Sequence, residues 1–249
     1  SGAHPLLQKL MERGRRARRT ALYAAAVLLC LMLAACGFVR SRRAAHYRPI
    51  AAAAASYEHV LVLGSAAAAE ELLRNRAAKD VDFVTPEKQF VWTVSARLHR
   101  YTEDPFRFLE KREKHYDFIL VALAAPKTEA ENRAYTNLFY RMCANHLNEG
   151  GALAVETVSP SAFPAAYRCL ALTMESEGLS VQKLSLSEGG NDESGVLFAA
   201  REAGIPVLPA DTPLQRVKES TGTEIPPVGV NRLNRPLLPG YLEEEEKTK

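Results

Sequence analysis

The sequence has few cysteines and lacks the short motifs that mark several common catalytic sites. Its four cysteines include no CxxC pair, so we expect neither a disulfide framework nor a cysteine-based metal site. No GxSxG and no GxxxxGK[ST] segment occurs, and the six histidines show no metal-ligand spacing. These absences exclude the nucleophile-elbow hydrolases and the P-loop phosphate binders, and they predict no metal site.

Positive charge is scarce outside the first 48 residues. The 249-residue chain has a net charge of +3, yet residues 1–48 hold ten Lys or Arg against one Glu, a net +9. The rest of the chain therefore carries a net −6. A surface that displaces counterions from nucleic acid needs clustered Lys and Arg. We expect no nucleic-acid partner.

One long uncharged run lies near the N-terminus. Residues 20–39 contain no charged side chain, and as a helix they would span about 30 Å, the thickness of a bilayer core. Arginines lie on both sides, where they would anchor a helix in the headgroup zones. The run predicts a transmembrane helix in the lipid bilayer, after a basic arm over residues 1–19. A lipoprotein cleavage box, LAACG at residues 33–37, and a buried core helix are the alternatives.

Alternating apolar strands and helices begin after a linker over residues 40–56. Continuous apolar strands that alternate with helices are typical of a parallel sheet covered on both faces. The pattern predicts a domain over residues 57–204. The predicted strands begin near residues 59, 81, 98, 117, 152, 179 and 195, and the predicted helices cover 66–77, 87–97, 105–112, 131–147 and 162–177.

A segment with seven prolines follows the predicted domain, over residues 205–249. It shows no hydrophobic periodicity, and a packed domain rarely keeps a structureless segment of this length. We predict an extended tail that lies over partner subunits. Wrapping around its own domain is the alternative.

Four segments in this order resemble the spermidine synthase (aminopropyltransferase) family, a branch of the Rossmann-like S-adenosylmethionine-dependent methyltransferases. They are VLVLG, EDPFRFL, YDFILVALAAP and LFYRMCANHLNEGGALAVET, within residues 57–200. The resemblance implies a methyltransferase-type Rossmann fold: a mostly parallel seven-stranded sheet with helices on both faces. It also implies a cofactor loop at Gly64 and an adenine-reading acid at Asp104.

The residues that would bind the cofactor are largely replaced. The family's glycine-rich loop keeps only Gly64, and Thr85 stands where an acid would bind the ribose hydroxyls. Glu87 would replace that acid only along a different loop path. Asp104 precedes Pro105, which predicts a helix cap and explains this acid without a ligand.

The residues that would carry the reaction are replaced as well. The resemblance implies a D-x-x-D-P segment that positions and deprotonates the attacking amine, and both aspartates align with alanine, at Ala122 and Ala125. A methyl group neither accepts a proton nor balances an ammonium charge. Glu156 follows at the end of a later strand. Gly64, Asp104 and Glu156 are thus interpreted as vestigial positions.

These replacements predict a pseudo-enzyme without cofactor or metal. Together with the apolar run they predict a non-catalytic accessory subunit of a membrane complex, in a respiratory-chain or ATP synthase assembly of the mitochondrial inner membrane. Its partners would be the other subunits. The alternatives are an active S-adenosyl-cofactor-dependent methyl- or aminopropyltransferase with a rearranged site, and a sensor that binds a ligand without catalysis.

Overall fold

The computed structural model describes residues 23, 25–32, 35, 39, 44–187, 193–201, 205–206, 208–209, 211–217 and 227–248. The chain divides into two compact units, residues 1–45 and residues 46–249. The predicted basic arm over residues 1–19 lies outside the described residues. In the first unit, residues 25–32 are helical and exposed.

The prediction of a transmembrane helix over residues 20–39 is wrong. Among the residues that the structure describes, no helix is both long enough and apolar enough to cross a bilayer. Several positions of the run, including the cysteine of the LAACG box, lie outside the described residues.

One mixed eight-stranded sheet forms the centre of the second unit, in the order β3-β2-β1-β4-β5-β7-β6-β8. Strands β1 to β5 are mutually parallel, β7 runs antiparallel to both of its neighbours, and β8 runs antiparallel to β6. The strands are β1 (His59–Leu63), β2 (Asp80–Thr85), β3 (Leu98–Thr102), β4 (Tyr116–Val121), β5 (Leu147–Thr157), β6 (Ser180–Ser187), β7 (Glu193–Ala200) and β8 (Leu214–Arg216). This is a Rossmann-like methyltransferase fold, as predicted, although the sheet has eight strands instead of seven.

Apolar side chains cover both faces of the sheet. Along β1, Val60 and Val62 belong to one buried cluster, while Leu61 and Leu63 belong to a second cluster on the opposite face. Successive side chains of a strand point to opposite faces, so an uninterrupted apolar strand buries both. The continuous apolar runs in the sequence reflect this double burial.

Helices connect and cover the strands. They are α1 (residues 44–53), α2 (Ala66–Leu72), α3 (Pro105–Lys111), α4 (Glu129–Asn132), α5 (Asn137–Asn145), α6 (Pro164–Glu175) and α7 (Leu238–Lys247), with a 3₁₀ turn at Arg133–Tyr135 between α4 and α5. The predicted single helix over residues 131–147 is therefore divided, and α1 lies in the segment predicted to be a linker.

The predicted helix over residues 87–97 does not form. Residues 86–95 are irregular, and the buried carboxylate of Glu70 accepts hydrogen bonds from the backbone N–H groups of Trp92 (2.6 Å) and Thr93 (3.3 Å). In a helix these N–H groups would bond to carbonyls four residues earlier. Because these N–H groups bond to the Glu70 carboxylate instead, the segment stays extended against α2.

The described part of the C-terminal tail packs on its own domain. Strand β8 extends the sheet, and Leu238 of α7 is buried against the second apolar cluster. The carboxylate of Glu245 accepts hydrogen bonds from the N–H groups of Ala165 (2.6 Å) and Ala166 (3.1 Å) at the start of α6. The prediction of an extended tail is wrong for these residues, because they find apolar and polar partners within the domain.

Candidate functional site at the carboxyl edge of the sheet

The carboxyl ends of strands β1 to β5 meet at one edge of the sheet. Gly64 follows β1, Thr85 ends β2, Asp104 follows β3, Ala122 follows β4, and Glu156 lies near the end of β5. Ligands of open α/β sheets bind at this edge. The fold therefore brings together the positions that the sequence indicated.

Gly64 makes a tight turn against the end of β4. Its φ of +106° is a conformation that side chains rarely adopt, and a Cβ built on it would lie 2.5 Å from the carbonyl oxygen of Ala122. The same Cβ would lie 2.7 Å from Cδ2 of Leu123. Only glycine fits here, and the turn fixes the start of α2 beside the segment that follows β4.

Gln89 reaches across this turn with its side-chain amide. Its Nε2 donates to the carbonyl of Gly64 (2.5 Å) and to Oγ1 of Thr85 (3.3 Å), and its Oε1 accepts from the N–H of Ala66 (2.9 Å). The polar backbone groups of the loop are thus held by one exposed side chain. The sequence placed Gln89 in a helix and did not identify it as part of the site.

Asp104 has two partners through one carboxylate oxygen. Its Oδ1 accepts from the N–H of Arg107 (3.0 Å) and from Nη2 of Arg133 (2.8 Å). The first contact caps α3, whose first residue is Pro105, so the predicted cap is confirmed. The Arg133 guanidinium also lies 4.6 Å above the ring of Phe106.

The carboxylate of Glu156 lies next to the segment where the family's aspartates are missing. Val121 of β4 pairs with Val155 of β5, so the next residues, Ala122 and Glu156, follow at the same level on adjacent strands. Glu156 thus places a carboxylate one strand away from the alanine that replaces the first aspartate. The sequence alone did not show this neighbour relation.

Two side chains of α1 hold the Glu156 carboxylate. Nε2 of His46 lies 2.8 Å from Oε1, and the Tyr47 hydroxyl donates to Oε2 at 2.7 Å. The side chains of His46 and Glu156 are 19% and 23% exposed, so the pair is shielded but reachable. Both α1 residues come from the predicted linker and were missed by the sequence analysis.

Tyr135 completes what we call the edge cluster: His46, Tyr47, Tyr135 and Glu156. Its hydroxyl donates to the carbonyl of Ala124 at 2.5 Å. Burial raises the pKa of this hydroxyl, and the negative charge of Glu156 raises it further. Tyr135 therefore remains a neutral donor that fixes the loop after β4, while the edge cluster offers one carboxylate and one imidazole to bind a cation or accept a proton.

A second polar cluster lies at the other end of β2. Ligand-type atoms of Asp80, Asp82 and His99 all lie within 4.8 Å of one another. The Lys114 ammonium lies between the two carboxylates, 2.5 Å from Asp80 and 2.9 Å from Asp82. The sequence showed no metal spacing because strand pairing, which aligns Asp82 with His99, assembles the group. Within the described chain, Lys114 supplies the cation that these carboxylates need.

The titration of this cluster follows from its ion pairs. Burial opposes ionisation of Asp80, but hydrogen bonds from Lys114 and His59 outweigh it, so the pKa of Asp80 lies below its usual 3.8. Burial likewise opposes the charge of Lys114, yet its two carboxylate partners raise its pKa above the usual 10.5. The ion pairs thus stabilise the fold between these limits, and the stability is lost as the pH falls through the lowered pKa of Asp80 or rises through the raised pKa of Lys114.

We expect Lys114→Met to lower the free energy of unfolding by about 2 to 3 kcal/mol at pH 7, because Asp82, 2% exposed, keeps a buried charge without its cation. Urea denaturation measures this loss. The difference from the wild type should shrink as the pH falls through the lowered pKa of Asp80, because the wild type then loses this ion pair as well. The control is Lys111→Met. Lys111 pairs with Glu103 at the surface, and its replacement should cost about 0 to 1 kcal/mol. Equal losses for both variants would contradict the buried pairing.

Comparison with known proteins gives consistent matches. Residues 51–162 match the family described as "Spermine/spermidine synthase domain". A polyamine aminopropyltransferase of Oceanobacillus iheyensis is 30% identical over 162 residues, which cover 58% of this chain and 32% of the relative. One of Alkaliphilus oremlandii is 31% identical over 117 residues, 41% of each chain. This chain thus spans less than half the length of these curated relatives.

The fold also matches a solved structure. A crystal structure of spermidine synthase in complex with the transition state analogue AdoDATO aligns with a TM-score of 0.52. The alignment covers 78% of this chain and 71% of that chain, at 13% sequence identity. At this identity the likeness supports the fold alone.

These matches overturn the functional predictions made from the sequence. The matched relatives are bacterial enzymes, polyamine aminopropyltransferases, so the prediction of a non-catalytic pseudo-enzyme is wrong. The accessory-subunit, respiratory-chain and mitochondrial inner-membrane predictions are wrong with it. They depended on the alanines at positions 122 and 125 and on the apolar run. The alanines do not remove every carboxylate from the edge, because Glu156 lies on the neighbouring strand.

Proposed function

We propose that this chain, which has the spermidine synthase-like fold, transfers an alkyl group from an S-adenosyl cofactor to an amine at the carboxyl edge of its sheet. The group transferred is aminopropyl or methyl. One observation carries the proposal: the Glu156 carboxylate, held by His46 and Tyr47, lies beside Ala122, where the family's first aspartate is missing. The names of the matched relatives point to the same reaction class.

The residues at the ends of β1 to β3 fit the nucleoside part of such a cofactor, with one rearrangement. Gly64 provides the tight turn before α2, Thr85 a hydroxyl at the ribose position, and Asp104 a half-exposed carboxylate after β3. The N–H of Ala66 is bound to Gln89. The loop can therefore offer this backbone donor to a ligand once the side chain of Gln89 moves away.

When bound, the cofactor supplies a sulfonium whose adjacent carbon is attacked by the lone pair of an amine, and the electrons of the broken C–S bond stay on sulfur. The attacking nitrogen must be neutral in this step, and it loses a proton as the new C–N bond forms. Glu156 holds the amine at the edge of the sheet and accepts that proton. His46 and Tyr47 orient the carboxylate, and Tyr135 fixes the loop beside it through the Ala124 carbonyl.

The edge cluster also constrains the acceptor. The family's two aspartates are replaced by Ala122 and Ala125, so Glu156 is the carboxylate of the edge cluster that can face an ammonium group. A single carboxylate balances one positive charge, and the two alanines present methyl groups to the rest of the acceptor. We propose an acceptor with one amino group near the reacting nitrogen, in place of an extended polyamine.

Binding and turnover test the proposal. Titration calorimetry with S-adenosylmethionine and with its decarboxylated analogue should show binding of one of them at micromolar concentrations. The Gln89→Ala variant should bind it about 30-fold more tightly, since the two shorter hydrogen bonds of Gln89, with Ala66 and Gly64, of about 1 kcal/mol each, no longer compete. Incubation with a series of mono- and diamines should release methylthioadenosine for aminopropyl transfer or S-adenosylhomocysteine for methyl transfer. Absence of binding and of both products, in the wild type and in Gln89→Ala, would refute the proposal.

A further inference from the structure

We infer that Asn231, a buried residue of the C-terminal tail, positions the edge cluster through the turn that carries Tyr135. Asn231 lies outside the segment that matches the family, residues 51–162. It is fully buried, and it follows Tyr135 by almost a hundred residues in the sequence. The effect on turnover rests on the proposed function, whereas the effect on Tyr135 itself does not.

The side-chain amide of Asn231 binds the turn directly. Its Nδ2 donates to Oδ1 of Asn132 (2.9 Å) and to the backbone carbonyl of Tyr135 (2.9 Å). Asn132 ends α4 and Tyr135 ends the 3₁₀ turn, so the two contacts fix the turn at both ends. Asn132 is buried as well, which keeps water from replacing these bonds.

The other end of the same amide holds the tail. Oδ1 of Asn231 accepts from the backbone N–H groups of Leu237 (2.9 Å) and Leu238 (3.2 Å), where α7 begins. A side chain that donates two hydrogen bonds from one end and accepts two at the other is a carboxamide. An aspartate would keep the contacts with the tail, but it would turn a carboxylate oxygen towards the carbonyls of the turn.

The backbone of Asn231 anchors the residue to two further helices. Its N–H donates to Oγ1 of Thr173 on α6 (2.9 Å), and its carbonyl accepts from the N–H of Asn137 at the start of α5 (3.0 Å). The amide is thus attached to a rigid part of the domain. Because the Asn231 amide is fixed by these helices, it determines the position of the turn instead of following it.

The 3₁₀ turn also determines the positions of two groups at the edge of the sheet. The Tyr135 hydroxyl bonds to the Ala124 carbonyl, and Arg133 pairs with Asp104. Loss of the amide donor would let the turn shift and move the loop after β4 relative to Glu156. Misplacement of reacting groups by about 1 Å lowers rates by about 100-fold. Asn231 is therefore a positioning residue that acts through Tyr135.

The test compares Asn231→Asp with Glu245→Gln. Glu245 holds the tail to α6 at another point, and its side chain forms no hydrogen bond with the turn among the described residues. Its variant therefore reports the cost of loosening the tail. We expect Asn231→Asp to lower kcat by about 10- to 100-fold with KM for the donor little changed. Glu245→Gln should lower the melting temperature and leave kcat within about twofold. Equal kcat for Asn231→Asp and wild type, or equal losses in both variants, would overturn the inference.

A spectroscopic signature separates this inference from the proposed function. With ¹³C-labelled tyrosine, the Cζ resonance of Tyr135, assigned by its loss in Tyr135→Phe, should shift in Asn231→Asp and stay in place in Glu245→Gln. This measurement needs no turnover, so it still decides the inference if no transfer activity is found. If Asn231→Asp does not fold, Asn132→Ser removes one of the two contacts and should move the same resonance. An unshifted resonance in the folded variant would refute the positioning role.

Discussion

Replacing Glu156 by glutamine should slow alkyl transfer by about 100- to 10,000-fold, the usual cost of removing a general base. Glutamine keeps the size of the side chain and can still contact His46 and Tyr47, but it neither accepts a proton nor balances an ammonium charge. The rate is measured as release of the thioether product under saturating donor. Thermal denaturation of the same preparation checks that the fold is intact.

Two matched variants locate the effect in the carboxylate. Tyr47→Phe removes the hydroxyl that bonds to Oε2 of Glu156 at 2.7 Å and should cost about tenfold, because it disturbs orientation only. Glu193→Gln changes another carboxylate with hydroxyl partners, Ser159 and Ser161, and should leave the rate unchanged. A Glu156→Gln variant that keeps its rate within about threefold would show that the proton leaves by another route.

Replacing Gly64 by alanine should lower the free energy of unfolding by about 2 to 6 kcal/mol. A side chain at φ +106° adds backbone strain of about 1 to 3 kcal/mol. The new Cβ would also lie 2.5 Å from the backbone oxygen of Ala122, and overpacking of this kind costs about 1 to 3 kcal/mol more. Denaturation in guanidinium chloride measures the sum.

Gly178→Ala separates the two contributions. Gly178 has a φ of +76°, yet a Cβ added there meets no atom within 4 Å. Its replacement should therefore cost only the backbone term, about 1 to 2 kcal/mol. If both variants lose the same amount, Gly64 is required for its conformation alone and its close approach to β4 is unimportant.

Most of the sheet could be predicted from the sequence because its strands are buried on both faces. Uninterrupted apolar segments such as Phe118–Val121 leave few other structures available, and all seven predicted strands are present. The segment over residues 87–97 could not be predicted, since the side chain that keeps it extended, Glu70, belongs to a different helix. The short β8 could not be predicted either, because three residues give no periodic signal.

The candidate site was only partly visible in the sequence. Gly64, Asp104 and Glu156 could be found because each follows or ends a recognisable strand. His46 and Tyr47 could not, since they precede the domain in the sequence and approach Glu156 only through the packing of α1. The prediction of an inert domain was wrong for a related reason. It considered each strand separately, whereas in the folded sheet a carboxylate on β5 lies beside the replaced position on β4.

The tail's attachment has a consequence for refolding kinetics. The contact between Asn132 and Asn231 closes a loop of 99 residues, and that between Ala165 and Glu245 closes one of 80. Contacts of such sequence separation form late, because chain entropy must be lost before they contribute. After dilution from denaturant, circular dichroism should therefore recover before the tail docks. The interval between the two phases is the lifetime of an intermediate in which strands β1 to β7 are paired, β8 is not yet added, and the turn at Tyr135 is unanchored.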